Sequence, residues 1–264
     1  MGEINLDALI RGDIEVLANS ISRAENGELS PSELAKIHEL ANSSSTSSAS
    51  SPDKRRRIGI TGTPGVGKST LTSLLIKEYR ANGAKVGVLA VDPSSVVTGG
   101  ALLGDRIRMQ EHYVDPDVFI RSMSARGHLG GLAVATPLAS ELLAIAGYSP
   151  VIVETVGVGQ SEVEVMNHVD TTIVVLAPGA GDDIQSAKAG ILEIADIFII
   201  NKVDRDKEGA EKLRQDLLRS QDLSQRSDGW RAPVLLVSAL DRIGISEVVA
   251  AINKHQDFTE QARG

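Results

Sequence analysis

Cysteine is absent from the 264-residue sequence, which excludes disulfides and thiolate metal sites outright. No apolar run approaches the roughly 20 residues that a helix needs to cross a bilayer. The opening MGEINLDALI lacks a basic lead followed by a continuous apolar core, so it does not read as a secretory signal. Positive charge is also short: 27 Lys and Arg against 35 Asp and Glu leave a net charge of −8. That balance disfavours a general binder of nucleic acid or anionic membrane. The basic cluster KRRR at 54–57 reads as a solvated lead-in to a strand. Together these absences predict a cytoplasmic protein, long enough for one large α/β domain and an appendage.

Residues 1–41 read as a separate helical appendage. Leu6, Leu9 and Ile10 share a face, Gly12 can end that turn, and Asp13 can cap a second helix carrying Ile14, Leu17 and Ile21. SPSEL at 30–34 is a helix start, with Ser30 as N-cap, Pro31 in the first helical position and Glu33 closing a capping box. The helix it opens presents Leu34, Ile37 and Leu40. Short helices of this kind cannot bury their faces alone, so they are expected to pack on the main domain or on a partner. NSSSTSSASSPD at 42–53 is a serine linker, about 12 residues of flexible coil spanning on the order of 20 Å.

From 54 to 264 the pattern changes. RIGIT, VGVLAV, VFIRS, VIVE, TIVVLA, IFII and VLLV are short apolar runs, continuously apolar as strands buried on both faces must be. Helix-like stretches beginning near 68, 103, 131, 183, 206 and 244 lie between most of them. This alternation predicts an α/β fold, a doubly wound and mainly parallel sheet with ligands beyond the carboxyl ends of its strands.

The first run leads into GTPGVGKST at 62–70, which fits the phosphate-loop pattern with a strand before it and a helix after it. Gly62, Gly65 and Gly67 let the backbone of Gly62, Thr63, Pro64, Gly65, Val66 and Gly67 fold so that N–H groups converge on phosphate oxygens. Lys68 supplies charge to the β- and γ-phosphates, Ser69 can ligate Mg²⁺, and Thr70 completes the motif. Further on, NKVD at 201–204 follows a strand. Asp204 can accept from N1–H and N2–H₂ of guanine, whereas adenine would leave that carboxylate unpaired. Asn201 suits the guanine N7 edge, the Lys202 stem can cover the ring, and VSAL brings Ser238, Ala239 and Leu240 to the O6 side. The order of these motifs predicts GTP and GDP rather than ATP.

An acid also ends the run VIVE, where small G proteins usually place Asp; here it is Glu154, in VIVETVGVGQSE. With VLAVDPSSVVTGGALLGDRIRM, RSMSARGHLGGLA and LAPGAGDDIQSAKAGILEIADIFIINKVD, the chain from about 58 to 254 resembles the MeaB/ArgK family, whose human counterpart is the methylmalonic aciduria type A protein. The resemblance implies a P-loop GTPase that chaperones an adenosylcobalamin-dependent acyl-CoA mutase, chiefly methylmalonyl-CoA mutase, and gates loading of its cofactor. It also implies that Asp92, Asp105 and Glu154 share the Mg²⁺ with Ser69 and rearrange with nucleotide state. For Asp105 a helix N-cap is the alternative.

The catalytic residues are less defined. Small G proteins place a Gln directly after the glycine of this second switch, but here Val158 follows Gly157 and Gln160 comes later. Lys68, Gln160 and Lys188 are the candidates, Lys188 lying in a loop that the resemblance makes a third switch. Arg126 and His128 are further switch candidates. Hydrolysis is expected to be slow until a partner completes the site. Relatives continue past the SAL strand with helices that dimerise, and the chain stops at Gly264, so those helices are expected to be absent and a homodimer is left open. Two other readings stand beside the chaperone. One is a kinase or ATPase linked to lysine/arginine/ornithine transport; the other is a metal-delivery GTPase, against which the lack of cysteine and five scattered His argue.

Overall fold

A computed structural model of the chain describes residues 3–43, 56–92, 109–124, 129–155, 164–179, 193–223 and 226–263. Each of the seven apolar runs forms a strand: β1 (Arg57–Thr61), β2 (Val86–Asp92), β3 (Val118–Ser124), β4 (Val151–Thr155), β5 (Thr171–Leu176), β6 (Ile197–Ile200) and β7 (Val234–Leu236). They make one sheet in the order β3-β2-β4-β1-β5-β6-β7. The pairings β1 with β5, β2 with β3, β5 with β6 and β6 with β7 are all parallel. β4, β5 and β6 are buried at every residue, which is why their sequences show no polar alternation. The expected helices near 68, 131, 206 and 244 are α4 (Lys68–Ala81), α5 (Leu129–Ile145), α6 (Lys207–Leu223) and α7 (Ile245–Arg263). Those expected near 103 and 183 fall outside the described residues. No described helix is long and apolar enough to cross a membrane.

Two compact units divide the chain: Met1–Arg57 with Tyr79–Val153, and Ile58–Glu78 with Glu154–Gly264. In the first unit, α1 (Leu6–Ile10), α2 (Ile14–Glu25) and α3 (Pro31–Ser43) pack against α5. Their contact face holds Leu9, Leu17, Ile21 and Ile37, all fully buried. Ile10 and Ile14, which the apolar pattern places on those faces, remain about half exposed at 51 % and 52 %. They flank the turn at Gly12, whose φ of 80° reverses the chain and leaves both on its outer side.

Capping holds the turns between these helices. Asp13 Oδ1 accepts from Glu15 N at 3.0 Å and from Val16 N at 3.1 Å. Ser30 N donates to Glu33 Oε2 at 2.9 Å and Glu33 N donates to Ser30 Oγ at 3.3 Å, the reciprocal pair of a capping box. Glu33 does more than cap. Its carboxylate accepts from Arg23 Nη1 at 2.9 Å and Nη2 at 3.0 Å, and from Ile4 N at 3.0 Å. The Arg23 guanidinium holds the Glu33 carboxyl down at about 2, against the opposing effect of burial.

The second unit is built around β5, β6 and β7. Phe198, Leu217 and Trp230 are buried in one cluster with Val174, Leu176 and Ile200. The Trp230 indole N–H finds the Asp196 carbonyl at 2.8 Å, so its polar edge enters the core satisfied. At the same end of the strands, Thr171 Oγ1 and His255 Nδ1 of α7 lie 3.0 Å apart, fixing that helix to the start of β5.

Candidate nucleotide-binding site

The site lies at the opposite strand ends of the second unit. β1 stops at Thr61 and α4 starts at Lys68. The six residues between them turn on Gly62, Gly65 and Gly67, with φ of 148°, 81° and 101°. Two of these glycines are also sterically required. A Cβ on Gly62 would stand 2.2 Å from Val175 O, and one on Gly67 would stand 2.3 Å from Asn201 Nδ2. Gly65 faces open space, so only its backbone conformation demands glycine there. Val66 is buried, while Pro64, Gly65 and Thr70 are exposed. The Lys68 ammonium is buried inside this loop, donating to Gly62 O at 2.7 Å and Thr63 O at 3.0 Å. The N-terminus of α4 opens on the same loop, and a helix N-terminus favours an anion.

Glu154, near the end of β4, is 4 % exposed and is gripped by two hydroxyls of α4. Ser69 Oγ donates to Oε1 at 2.6 Å and Thr72 Oγ1 donates to Oε2 at 2.7 Å. Ser69 and Thr72 stand three residues apart and therefore on one helix face. Thr72 is a contact the sequence reading missed. Its only signal was that i, i+3 spacing from Ser69, which gains meaning once the carboxylate opposite is located.

The base end is assembled by Asn201, which follows β6. Its Nδ2 donates to Val66 O at 2.8 Å, and its Oδ1 accepts from Ala239 N at 3.0 Å. Reversing the amide would set oxygen against carbonyl and N–H against N–H, so this orientation is the one the neighbours permit. Lys202 takes the left-handed conformation, φ 64°, and its Nζ donates to Gly65 O. A non-glycine residue at such a φ is held there by its surroundings. Ser238 is fully buried, and its hydroxyl lies 2.7 Å from Asp204 Oδ1 and 2.9 Å from Asp241 Oδ2. One hydroxyl has one proton, so it donates to one of the two carboxylates at a time. Ala239 is buried and Leu240 is 74 % exposed.

Among the metal candidates, Ser69 and Glu154 are brought together. Asp92 occupies the last position of β2, paired in register with Ser124, and its side chain is outside the described part. Asp105, Gln160, Lys188, Arg126 and His128 also lie outside the described residues. No three His, Cys, Asp or Glu side chains converge on a metal position among the described residues. The donors that do meet, a carboxylate and a hydroxyl, are hard oxygens. They fit Mg²⁺, which takes few protein ligands and completes its shell with phosphate oxygens and water.

Comparison with known proteins agrees with this geometry. Residues 23–264 match the family model described as methylmalonyl Co-A mutase-associated GTPase MeaB. A protein of Pyrococcus abyssi is 47 % identical over 97 % of this chain and 76 % of its own length. The mitochondrial methylmalonic aciduria type A homolog of Caenorhabditis elegans is 41 % identical over 76 % of this chain and 51 % of its own length. Among solved structures, one described as an LAO/AO transport system kinase superposes with a TM-score of 0.71 at 28 % identity, covering 97 % of this chain and 75 % of that one. The glycine turns, the Lys68 cradle and the Asn201 junction thus belong to a P-loop GTPase, and the chain is a member of the MeaB family of methylmalonyl-CoA mutase-associated GTPases.

Proposed function

We propose that this GTPase binds GTP and GDP with Mg²⁺ and acts as a chaperone of an adenosylcobalamin-dependent acyl-CoA mutase, gating the loading and protection of its cofactor. The observation that carries the nucleotide part is Asn201, which ties the phosphate loop at Val66 to the Ser238–Ala239 loop. That junction ties the 62–67 loop to the loop whose Ser238 hydroxyl lies against Asp204, and it supports reading the two as the phosphate and guanine sides of one site. The family match over residues 23–264 supports the mutase as partner.

In this reading the N–H groups of residues 62–70 other than Pro64, and the Lys68 ammonium, hold the β- and γ-phosphates. Ser69 and Glu154 hold the Mg²⁺, with Asp92 and Asp105 joining them in one nucleotide state. The metal supplies positive charge against phosphate oxygens when bound. Asp204 reads N1–H and N2–H₂ of guanine, held by the Ser238 hydroxyl, while the Lys202 stem lies over the ring and the backbone at Ala239 borders O6. Lys68, Gln160 and Lys188 are the catalytic candidates, and the mutase partner completes the site by reordering the switches around Gln160 and Lys188. Residues 54–264 carry this work, with residues 1–41 as a helical appendage joined through the 42–53 linker.

The test measures GTP hydrolysis by the purified protein alone and with an adenosylcobalamin-dependent methylmalonyl-CoA mutase, comparing GTP with ATP. Slow hydrolysis that the mutase accelerates, with GTP preferred, supports the reading. Turnover of tens per second by the protein alone, or indifference to the mutase, overturns the chaperone part. The solved structure described as a transport system kinase supports a second reading, γ-phosphoryl transfer to an acceptor other than water. Radiolabelled γ-phosphate appearing on a third molecule would favour it.

A further inference from the structure

Threonine inside a helix usually satisfies its hydroxyl on the carbonyl of the preceding turn. Thr72 instead donates across to Glu154 Oε2 at 2.7 Å, from a side chain that is fully buried. Ser69 Oγ takes the other carboxylate oxygen at 2.6 Å. Both lie at the short side of the range for O–H···O hydrogen bonds. The two hydroxyls are not equivalent. Ser69 belongs to the phosphate-loop motif, whereas Thr72 sits one turn further into the helix.

Glutamate at this position carries one methylene more than aspartate. The longer side chain reaches further but adds a torsion, and its terminal torsion is broad and roughly two-fold. A hydrogen bond on Oε1 without one on Oε2 restrains that torsion less than a bond on each oxygen does. Two hydroxyls from one helix face, one on each oxygen, fix both the reach and the plane of the group. A buried carboxylate also needs a partner on each oxygen to offset its desolvation.

We propose that Thr72 is the positioning residue for Glu154: it anchors Oε2 so that Oε1 stays aimed at Ser69 and the metal beside it. Thr72 acts through Glu154, its hydrogen-bond acceptor. The proposal rests on the reading that Ser69 and Glu154 face Mg²⁺, and it explains how a glutamate can serve there with the precision of the shorter acid.

The experiment is an equilibrium titration of the intact protein with N-methylanthraniloyl-GDP, in EDTA and across a Mg²⁺ series. The wild type is compared with Thr72→Val, Thr72→Ser and Glu154→Gln. Thr72→Val keeps the shape and removes the donor. It is expected to raise the Mg²⁺ half-saturation about tenfold, the scale typical for loss of a group that orients a metal ligand. Affinity in EDTA should stay unchanged, and Thr72→Ser should restore the wild-type Mg²⁺ response. Should Thr72→Val fail to fold, Thr72→Ala, which also removes the donor to Oε2, is read by the same criteria. A Mg²⁺ half-saturation equal to wild type overturns the proposal. So does an equal loss of affinity with and without Mg²⁺, which marks a packing residue. A wild-type isotherm indifferent to Mg²⁺, or to Glu154→Gln, overturns the metal reading itself and the proposal with it.

Discussion

Asn201 Nδ2 donates to Val66 O over 2.8 Å, while the Oδ1 of the same amide accepts from Ala239 N at 3.0 Å. One buried side chain therefore joins the phosphate loop to the loop after β7. Asn201→Ala leaves a buried carbonyl and a buried N–H without partners, at about 1–3 kcal/mol for each. Urea denaturation should show a loss of about 2–6 kcal/mol. GDP affinity should fall at least about tenfold, because both halves of the site lose their common strut. Unchanged stability would show that the two loops hold their positions independently.

Asp204 is expected to set base choice. Asp204→Asn replaces an acceptor pair by an amide and should exchange GTP for xanthosine triphosphate, inverting the ratio of their affinities in competition binding. Ser238→Ala removes the hydroxyl 2.7 Å from Asp204. It should weaken GTP by several-fold, about 1 kcal/mol, without inverting the preference. A titration of Asp204→Asn with undiminished GTP affinity would reject the assignment.

The three loop glycines should not respond alike to alanine. Gly62→Ala meets Val175 O at 2.2 Å, a backbone atom that cannot step aside, at a φ of 148°. Gly65→Ala has open space and carries only the strain of φ 81°. Thermal unfolding should rank Gly62→Ala as the more damaging, by about 1–3 kcal/mol for the overlap. Equal losses would mean that the loop leaves β1 by another path.

Acid should loosen the N-terminal helices through Glu33. Its carboxyl is held at about 2 in the folded chain, against an ordinary 4.5. A depressed carboxylate contributes its full stabilisation above the unfolded value and loses it as pH falls toward the folded one. The contribution is on the order of 3 kcal/mol and should vanish between about pH 4.5 and pH 2. Glu33→Gln should be less stable than wild type near neutrality, and the gap should close over that window. Parallel stability curves for the two proteins would rule out Glu33 as the group responsible.

The strands were legible because burial on both faces leaves a run of apolar residues with nothing polar between them. Helix starts were legible where chemistry is local: Ser30, Glu33 and Asp13 cap through atoms only a few residues away. Ile10 and Ile14 were misplaced because periodicity registers a face without telling which end of it a turn leaves in water. The phosphate loop announced itself through glycines whose positive φ is a backbone demand. Thr72 did not, since its partner is 82 residues away in sequence. The second role of Glu33, as the carboxylate for Arg23 ten residues earlier, was hidden for the same reason.

Sequence alone determined the alternating α/β order, the phosphate loop, the guanine motif and the family to which they belong, because each is written in contiguous residues. Tertiary structure decided what those motifs hold. It set Glu154 between Ser69 and Thr72, clasped the two loops with Asn201, and stood Ser238 against Asp204. Each of these contacts is a hydrogen bond between residues distant along the chain, and for the loops of Asn201 and Ser238 it is the parallel packing of β1, β5, β6 and β7 that brings such residues to the same strand ends as the phosphate loop.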